Sequence, residues 1–290
     1  MNLRELIDSD RKTLFLDGAM GTQLGEVGLE MGGQNNVTHP EAVLAVHREY
    51  AACGVDLLIT NTLTMNRVNI ESHNVGVDVR EVNLAGARLA REAAGEGQFV
   101  LGDISSAGKM LKPYGQLTEV EAQAAFAEQA EILAEGGVDG FIIETMIDLR
   151  EALCALRAVR AVSDLPVIST ISFNTAKSGG RTIMGDSARD CAQALTETGA
   201  DVVGANCGSL DPFQLAVIVA DMRELTELPI AVQPNAGRPR MVDKRTIFDM
   251  SPSDFAAGIH ECMESGARIL GGCCGTSPAH IRAMMDLLAG

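Results

Sequence analysis

One helix-to-strand joint of this chain reads Gly136-Gly-Val-Asp-Gly-Phe-Ile-Ile-Glu-Thr145. The paired glycines suit a left-handed cap at the end of a helix, and the apolar run that follows is typical of a short buried strand. The polar residues Glu144 and Thr145 end that run. A helix end, a strand and a polar strand terminus in this order predict one unit of a parallel α/β fold.

Similar joints recur at 53–56 (Cys-Gly-Val-Asp), 198–201 (Thr-Gly-Ala-Asp) and 265–268 (Ser-Gly-Ala-Arg). Along the whole chain, short β-rich apolar runs alternate with longer amphipathic segments. The predicted strands are 13–16, 55–60, 99–102, 140–143, 166–172, 201–205, 229–232 and 267–271. The predicted helices are 41–53, 79–94, 119–135, 149–162, 187–198, 212–224, 253–265 and 278–289.

Eight units of this kind predict a single (β/α)8 TIM barrel, with residues 1–290 as one domain. A doubly wound parallel sheet is the alternative, but the even size of the units favours a closed barrel. No linker rich in Pro, Gly or Ser divides the chain. A barrel places its chemistry at the C-terminal ends of its strands, which we call the mouth.

The composition limits the classes of partner. The formal net charge is −16, from 39 acidic and 23 basic residues, and such a field argues against nucleic acid. Residues 1–12 are mostly polar, without the apolar core of a signal peptide, and no apolar run approaches the roughly 18 residues of a membrane span. We therefore expect a cytoplasmic protein without membrane association. Seven unevenly spaced cysteines favour reduced thiols and metal ligation over disulfides.

Polar residues and cysteines end most of the predicted strands. They are Asp17, Asn61, Thr62, Asp103, Glu144, Thr145, Asn206, Cys207, Asn235, Cys273 and Cys274. Loop capping accounts for any one of the polar residues, but it does not account for three of seven cysteines at one mouth.

Cys207 and the adjacent pair Cys273 and Cys274 predict a zinc site with three protein ligands and an open fourth position, as in catalytic zinc sites. The glycines of Gly271-Gly-Cys-Cys-Gly275 also suit a phosphate-binding loop, but that alternative leaves the cysteines unexplained. The remaining cysteines fall in or near predicted helices, where buried thiols are structural: Cys53, Cys154, Cys191 and Cys262.

Sulfur-rich coordination indicates the chemistry of such a site. A thiol substrate in the fourth position binds as the thiolate, because the metal stabilises the deprotonated form. The charge of four thiolates keeps that sulfur electron-rich and able to attack a carbon electrophile. We therefore interpret the site as an activator of a thiol. Zinc-activated water for hydrolysis is the alternative, although sulfur ligands weaken the Lewis acidity that hydrolysis requires.

Seven motifs at successive strand ends can be compared with known families: Asp17-Gly-Ala-Met-Gly-Thr22, Thr60-Asn-Thr62, Gly102-Asp103, Glu144-Thr145, Gly204-Ala-Asn-Cys207, Pro234-Asn-Ala-Gly237 and Gly271-Gly-Cys-Cys-Gly-Thr276. In this order the chain resembles the homocysteine S-methyltransferase family, from about Leu14 to the C-terminus. That family includes the homocysteine-binding module of cobalamin-dependent methionine synthase and betaine–homocysteine methyltransferase.

The resemblance implies a zinc barrel in which Cys207, Cys273 and Cys274 are the ligands and homocysteine takes the fourth position as its thiolate. From its position alone, Asn235 is a candidate metal ligand in the substrate-free state. No catalytic residue beyond the zinc ligands is implied, because zinc already removes the thiol proton.

The same resemblance implies how homocysteine is held. Asp17 and Glu144 receive its ammonium group, and the amides around Gly21 and Thr22 receive its carboxylate. Two carboxylates from strands 1 and 4 can converge on a small cationic group at a barrel mouth.

The methyl donor is the next question. The small-molecule donors of the family, betaine and S-methylmethionine, are cationic, and a quaternary ammonium is commonly held by an aromatic cage. The chain has no Trp and only two Tyr, Tyr50 and Tyr114, and Leu63 stands where many relatives carry an aromatic residue. The chain ends soon after the barrel, without folate- and cobalamin-binding modules. We therefore expect methylcobalamin on a separate corrinoid protein, with betaine or S-methylmethionine as the alternative.

A protein of another class would keep the fold without catalysis, as a zinc- or thiol-binding partner. The intact set of Asp17, Glu144 and the three mouth cysteines favours the enzyme, because a binding-only relative has no need of the substrate contacts.

Overall fold

The computed structural model describes residues 1–11, 13–242 and 245–289, and it shows a nearly closed barrel of eight parallel strands. The barrel strands are β1 (Leu14–Phe15), β2 (Leu57–Ile59), β3 (Phe99–Ile104), β4 (Gly140–Met146), β5 (Val167–Ile171), β6 (Val202–Asn206), β7 (Ile230–Gln233) and β10 (Ile269–Leu270). Two further strands are β8 (Arg240–Val242) and β9 (Arg245–Ile247). β8 and β9 form a separate antiparallel hairpin.

The barrel strands pair in the order β1, β10, β7, β6, β5, β4, β3, β2. A parallel bridge between Leu16 and Leu57 joins the two ends of this sheet, and the Asp17 amide donates to the Leu57 carbonyl over 3.1 Å. The predicted TIM barrel is therefore confirmed. That residues 1–290 form one domain stays a prediction, and residues 12, 243, 244 and 290 lie outside the described residues.

The helices are α1 (Leu3–Ile7), α2 (Gly21–Glu26), α3 (Asn35–Thr38), α4 (Pro40–Ala51), α5 (Arg67–Ser72), α6 (Val79–Ala93), α7 (Glu119–Glu135), α8 (Leu149–Val162), α9 (Ala188–Thr198), α10 (Pro212–Arg223), α11 (Pro252–Glu264) and α12 (Pro278–Ala289). The eight predicted helices are confirmed to within two residues at each end. Among the described residues, no helix has the length and apolar character needed to cross a membrane.

The mostly polar N-terminal segment contains α1, a helix that the sequence pattern did not predict. Leu3, Leu6 and Ile7 are buried in a cluster that also takes at least one apolar side chain from each barrel strand. Gly140 leaves room for this helix, because a Cβ there would lie 2.6 Å from Leu3 Cδ2. Five residues are too few to show helical periodicity, so the sequence pattern missed α1. The helix fills the N-terminal end of the barrel and leaves the mouth as the open end.

The repeated joints have the backbone that their glycines predict. In each four-residue joint (53–56, 136–139, 198–201 and 265–268) the second residue is a glycine with a positive φ: Gly54 at 84°, Gly137 at 79°, Gly199 at 98° and Gly266 at 109°. The aspartates that end three of the joints have a shared role that the sequence did not reveal. Asp56, Asp139 and Asp201 accept hydrogen bonds from amides in the first two residues of the preceding strands, at Phe15, Val100 and Val167, over 2.7 to 2.8 Å. The repeated sequence therefore aligns pairs of neighbouring strands.

His47 on α4 is fully buried, and neither ring nitrogen has a partner within the described residues. Burial lowers its pKa from 6.5 to about 4. Between these values the unfolded chain binds a proton that the folded chain does not, so stability is lost as the pH falls through this window. By linkage, we expect His47 alone to remove about 3 kcal/mol of unfolding free energy between pH 7 and pH 4.

The variant His47→Leu should lack this loss, and urea unfolding at several pH values measures it. The matched control is His260→Leu, at a half-buried position of α11, which should follow the wild-type curve. A pH dependence of His47→Leu equal to that of the wild type contradicts the assignment.

Candidate metal and substrate site

A cavity of about 270 Å³ opens at the mouth. Its walls are residues 18–22, 31–33, 59–61, 63, 64, 103, 144, 145, 207, 233 and 272–274. Side chains two residues apart on a strand face the same way. Along such pairs the barrel interior changes from apolar to polar. Leu101 is followed two residues later by Asp103, and Ile142 by Glu144. This step in polarity forms the floor of the cavity.

The structure brings the three predicted metal ligands together. The sulfur atoms of Cys207, Cys273 and Cys274 all lie within 4.8 Å of one another, and 4.0 Å separates Cys207 Sγ from Cys274 Sγ. Cys207 follows β6, whereas the adjacent pair follows β10. Backbone hydrogen bonds to the end of β7 and to the loop after it fix both segments. The Cys207 amide donates to the Gln233 carbonyl and the Cys273 amide to the Pro234 carbonyl, each over 2.9 Å. Strands β6, β7 and β10 are neighbours in the barrel, which explains the convergence.

The three thiols share protons unequally. Hydrogen bonds from the Cys207 and Cys273 thiols lower the pKa of Cys274 to about 4. Hydrogen bonds with the Cys207 and Cys274 sulfurs raise the pKa of Cys273 well above its ordinary value. Thiols this close cannot all ionise without a counter-charge, so a divalent cation can replace protons at this site.

Three carboxyl groups, those of Asp17, Asp103 and Glu144, are buried together at the mouth, each at most 7% exposed. Burial, and then the charge of Cys207, raise the pKa of Glu144 to about 8. Burial also raises the pKa of Asp103, and the charges of Glu144 and Asp17 raise it further. The pKa of Asp17 is likewise raised by burial, against a hydrogen bond from the Ile59 amide. A cation among these groups favours their ionised forms, so the arrangement suits an ammonium ligand.

Asn206, at the end of β6, holds Glu144 in place. Its Nδ2 donates to Glu144 Oε2 over 3.1 Å and to Thr145 Oγ1 over 2.8 Å. Its Oδ1 accepts from the Thr145 amide and from Thr170 Oγ1, each over 2.8 Å. Thr145 and Cys207 have positive φ angles of 60° and 52°, which are uncommon for side chains with a Cβ. Such strain concentrates where a functional geometry must be held, and both residues line the cavity.

Thr276 connects the loop after β1 to the loop after β10. Its Oγ1 accepts from the Ala19 amide over 3.0 Å and donates to the Cys273 carbonyl over 2.7 Å. The buried Tyr50 hydroxyl on α4 donates to the Ala19 carbonyl over 2.9 Å. These bonds couple the position of the cysteine pair to the loop after β1.

Gly21 and Thr22 line the cavity at the start of α2, where no side chain caps the helix. The first amides of a helix lack intrahelical acceptors and favour negative charge. Thr22 Oγ1 accepts from the Gly275 amide over 3.1 Å, which is a second link between the two loops. The segment can therefore present backbone amides to a carboxylate.

We expect Tyr50→Phe to lower the free energy of unfolding by about 1 kcal/mol, because it removes the hydrogen bond to Ala19 without changing the ring. Urea unfolding at pH 7 measures this change. The matched control is Tyr114→Phe in the loop after β3, where the side chain is 69% exposed, and it should unfold as the wild type does. If both variants match the wild type, the Tyr50 hydroxyl contributes nothing to the loop connection.

Asn235, which follows β7, is 1% exposed and lies behind the residues that line the cavity. Its Nδ2 donates to the Gly208 carbonyl over 2.9 Å, and its Oδ1 has no partner within the described residues. The next residue, Ala236, donates its amide to the Cys274 carbonyl over 2.9 Å. The role of Asn235 as a metal ligand in the substrate-free state stays a prediction.

A family model described as homocysteine S-methyltransferase matches residues 14–288. The chain belongs to the homocysteine S-methyltransferase family. This confirms the family inferred from the strand-end motifs and, at the level of the family, the prediction of a methyl-transferring enzyme.

The chain is similar to methionine synthases in sequence and to a solved homocysteine methyltransferase in structure. Methionine synthase of Mycobacterium tuberculosis is 29% identical over 313 residues, covering 99% of this chain and 26% of that protein. Methionine synthase of Mycobacterium leprae is also 29% identical and is covered to 24%. The chain thus spans about a quarter of the length of these relatives. The metallated homocysteine methyltransferase MmuM from Escherichia coli has the same fold, with a TM-score of 0.80, 22% identity and coverage of 98% and 99%.

Proposed function

We propose that this chain is a zinc-dependent homocysteine S-methyltransferase that forms methionine. The convergence of Cys207, Cys273 and Cys274 on a cavity that also contains Glu144 carries the proposal. Zinc–sulfur bonds of about 2.3 Å in a tetrahedron place neighbouring sulfurs roughly 3.8 Å apart, close to the 4.0 Å observed between Cys207 and Cys274. The thiol set therefore fits zinc. When bound, zinc supplies the positive charge that keeps a thiol ligand deprotonated near neutral pH.

The chain's own residues orient homocysteine. Its sulfur lies at the three cysteines, and its ammonium group is directed to the buried carboxyl groups of Glu144 and Asp17, in a cavity that no cationic side chain lines among the described residues. Its carboxylate is directed to the amides around Gly21 and Thr22. Carboxyl groups for the ammonium group and backbone amides for the carboxylate fix the direction in which the amino acid binds.

The reaction is a displacement at the methyl carbon. A bond forms between the homocysteine sulfur and this carbon as the bond to the donor breaks, and the electron pair of the broken bond leaves with the donor. No side chain has to act as a base, because the thiol proton has already been lost. Methionine is a neutral thioether, so it would be a weaker ligand than the thiolate for zinc held by the three cysteines and would leave the site.

The proposed donor is methylcobalamin carried by a separate corrinoid protein. Among the described residues, no aromatic side chain lines the cavity, so a cage for a cationic donor is lacking. The loop 105–118 carries Lys109 and Lys112 and no acidic residue, and Lys177 and Arg238 are exposed on the loops after β5 and β7. These basic side chains offer no anionic contact to the quaternary ammonium of betaine or the sulfonium of S-methylmethionine. A corrinoid needs no aromatic cage.

Methionine formation from homocysteine by the zinc-loaded protein tests the proposal, with methylcobalamin, betaine and S-methylmethionine compared in parallel. Turnover with methylcobalamin alone supports the proposed donor. Turnover with betaine or S-methylmethionine replaces it with the alternative. Zinc binding without turnover on any donor indicates a non-catalytic zinc- or thiol-binding protein instead. The cytoplasmic location and the lack of nucleic-acid and membrane partners stay predictions.

A further inference from the structure

Asp103 at the end of β3 lines the cavity and is 4% exposed. Its Oδ1 is completely buried and has no hydrogen-bond partner in the part of the chain that the structure describes. A buried carboxylate oxygen without a donor is costly, and native proteins rarely keep one without a ligand, water or function to justify it. The proposed homocysteine contacts leave Asp103 without a role.

The backbone of Asp103 is held firmly. Its amide donates to Thr60 Oγ1 over 2.9 Å, and its carbonyl accepts from Thr62 Oγ1 over 2.8 Å and from Gln129 Nε2 over 3.3 Å. The unpaired carboxyl group is therefore not the consequence of a loose segment. It is fixed on the wall of the cavity with its hydrogen-bonding capacity unused.

The surroundings of Asp103 offer acceptors and negative charge but no cation. The cavity is lined by no Lys, Arg or His among the described residues, and the nearby charged groups are the carboxyls of Glu144 and Asp17. A second lining residue, Gln233, also has a buried Oε1 without a partner. An ammonium group has three N–H donors and a positive charge, and it supplies what this region lacks.

We infer that Asp103 accepts a hydrogen bond from the homocysteine ammonium group, together with Glu144, and thereby selects α-amino thiols over other thiols. Asp17, the other proposed ammonium contact, differs because its Oδ2 already accepts from the Ile59 amide over 3.0 Å. The inference rests on the proposed function, since homocysteine is the ligand concerned.

Calorimetric titration of the zinc-loaded protein tests this without a methyl donor. The two ligands are homocysteine and 4-mercaptobutanoate, which has the same thiol and carboxylate but no amine. For Asp103→Asn we expect homocysteine affinity to fall about 10-fold to 100-fold, the range of a charge-assisted hydrogen bond. The affinity for 4-mercaptobutanoate should stay unchanged or rise. The control Asp10→Asn, at an exposed position far from the mouth, should alter neither.

Urea unfolding of the ligand-free protein supplies a second measurement. Removing an unpaired buried carboxylate should raise the unfolding midpoint of Asp103→Asn, whereas a structural role requires the midpoint to fall. Asp103→Ala repeats both measurements if the Asn variant folds poorly. Equal losses for the two ligands, or no loss for homocysteine, overturn the inference while the wild type still binds homocysteine. A wild type that does not bind homocysteine overturns the proposed function as well, so the two failures are distinguishable.

Discussion

Cys274→Ser is expected to abolish stable zinc binding and, with it, homocysteine methylation. The substitution replaces one of three clustered thiolates with a neutral hydroxyl at the same position. Loss of a residue that only hydrogen-bonds a metal ligand weakens metal binding about 10-fold to 100-fold, so loss of a ligand itself should lower zinc affinity on the order of 100-fold or more. Competition with a chromogenic chelator measures the affinity, and elemental analysis measures zinc per chain.

Cys53→Ser is the matched control for this experiment. Cys53 is half-buried after α4, and its sulfur contacts backbone carbonyls rather than another thiol. This variant should keep zinc and activity. A Cys274→Ser protein that retains one zinc with wild-type affinity would falsify the assignment of Cys274 as a ligand. Removal of zinc by a chelator should abolish homocysteine binding in the wild type, and added zinc should restore it.

Glu144→Gln should weaken homocysteine binding to the zinc-loaded protein about 100-fold, with little change in zinc affinity. The glutamine keeps the shape of the side chain and can still accept from Asn206, but it loses the charge that pairs with the ammonium group. Loss of the charge-assisted hydrogen bond between Glu144 and the ammonium group, worth up to about 3 kcal/mol, accounts for this factor. Titration calorimetry measures both affinities.

Glu30→Gln is the control, because it makes the same chemical change at an exposed carboxylate in the loop after β1. Its homocysteine affinity should stay within about 2-fold of the wild type, as expected for an exposed charge. Equal affinities for Glu144→Gln and Glu30→Gln would show that Glu144 does not contact the ammonium group.

The sequence predicted the regular elements well because their signals are local. The helices at 119–135 and 149–162 begin with strong caps, at Thr118 and Asp148, and their predicted bounds agree with the structure. The sequence pattern missed the short elements. α1 has five residues and the β8–β9 hairpin has three in each strand, and both are too short for a periodic signal.

The sequence predicted only the part of the site that residue type and position along the chain reveal. Cys207, Cys273 and Cys274 were predicted from residue type and from their position at strand ends, and their convergence is observed. Asp103 was seen at a strand end, but nothing in its neighbours along the chain shows that its carboxyl group is unpaired. The connection of Thr276 to Ala19 joins residues 257 positions apart, which no local pattern reports.

The sequence by itself determined the barrel and the family, and it predicted the functional end and the thiol chemistry proposed there. These depend on periodicity and on residue type, and both can be read along the chain. Only the tertiary structure decided that the three sulfurs lie within 4.8 Å of one another, that Asn206 holds Glu144, and that Asp103 Oδ1 has no partner among the described residues. These facts depend on distances between separate strands and on the exclusion of water, and the closure of the barrel sets both.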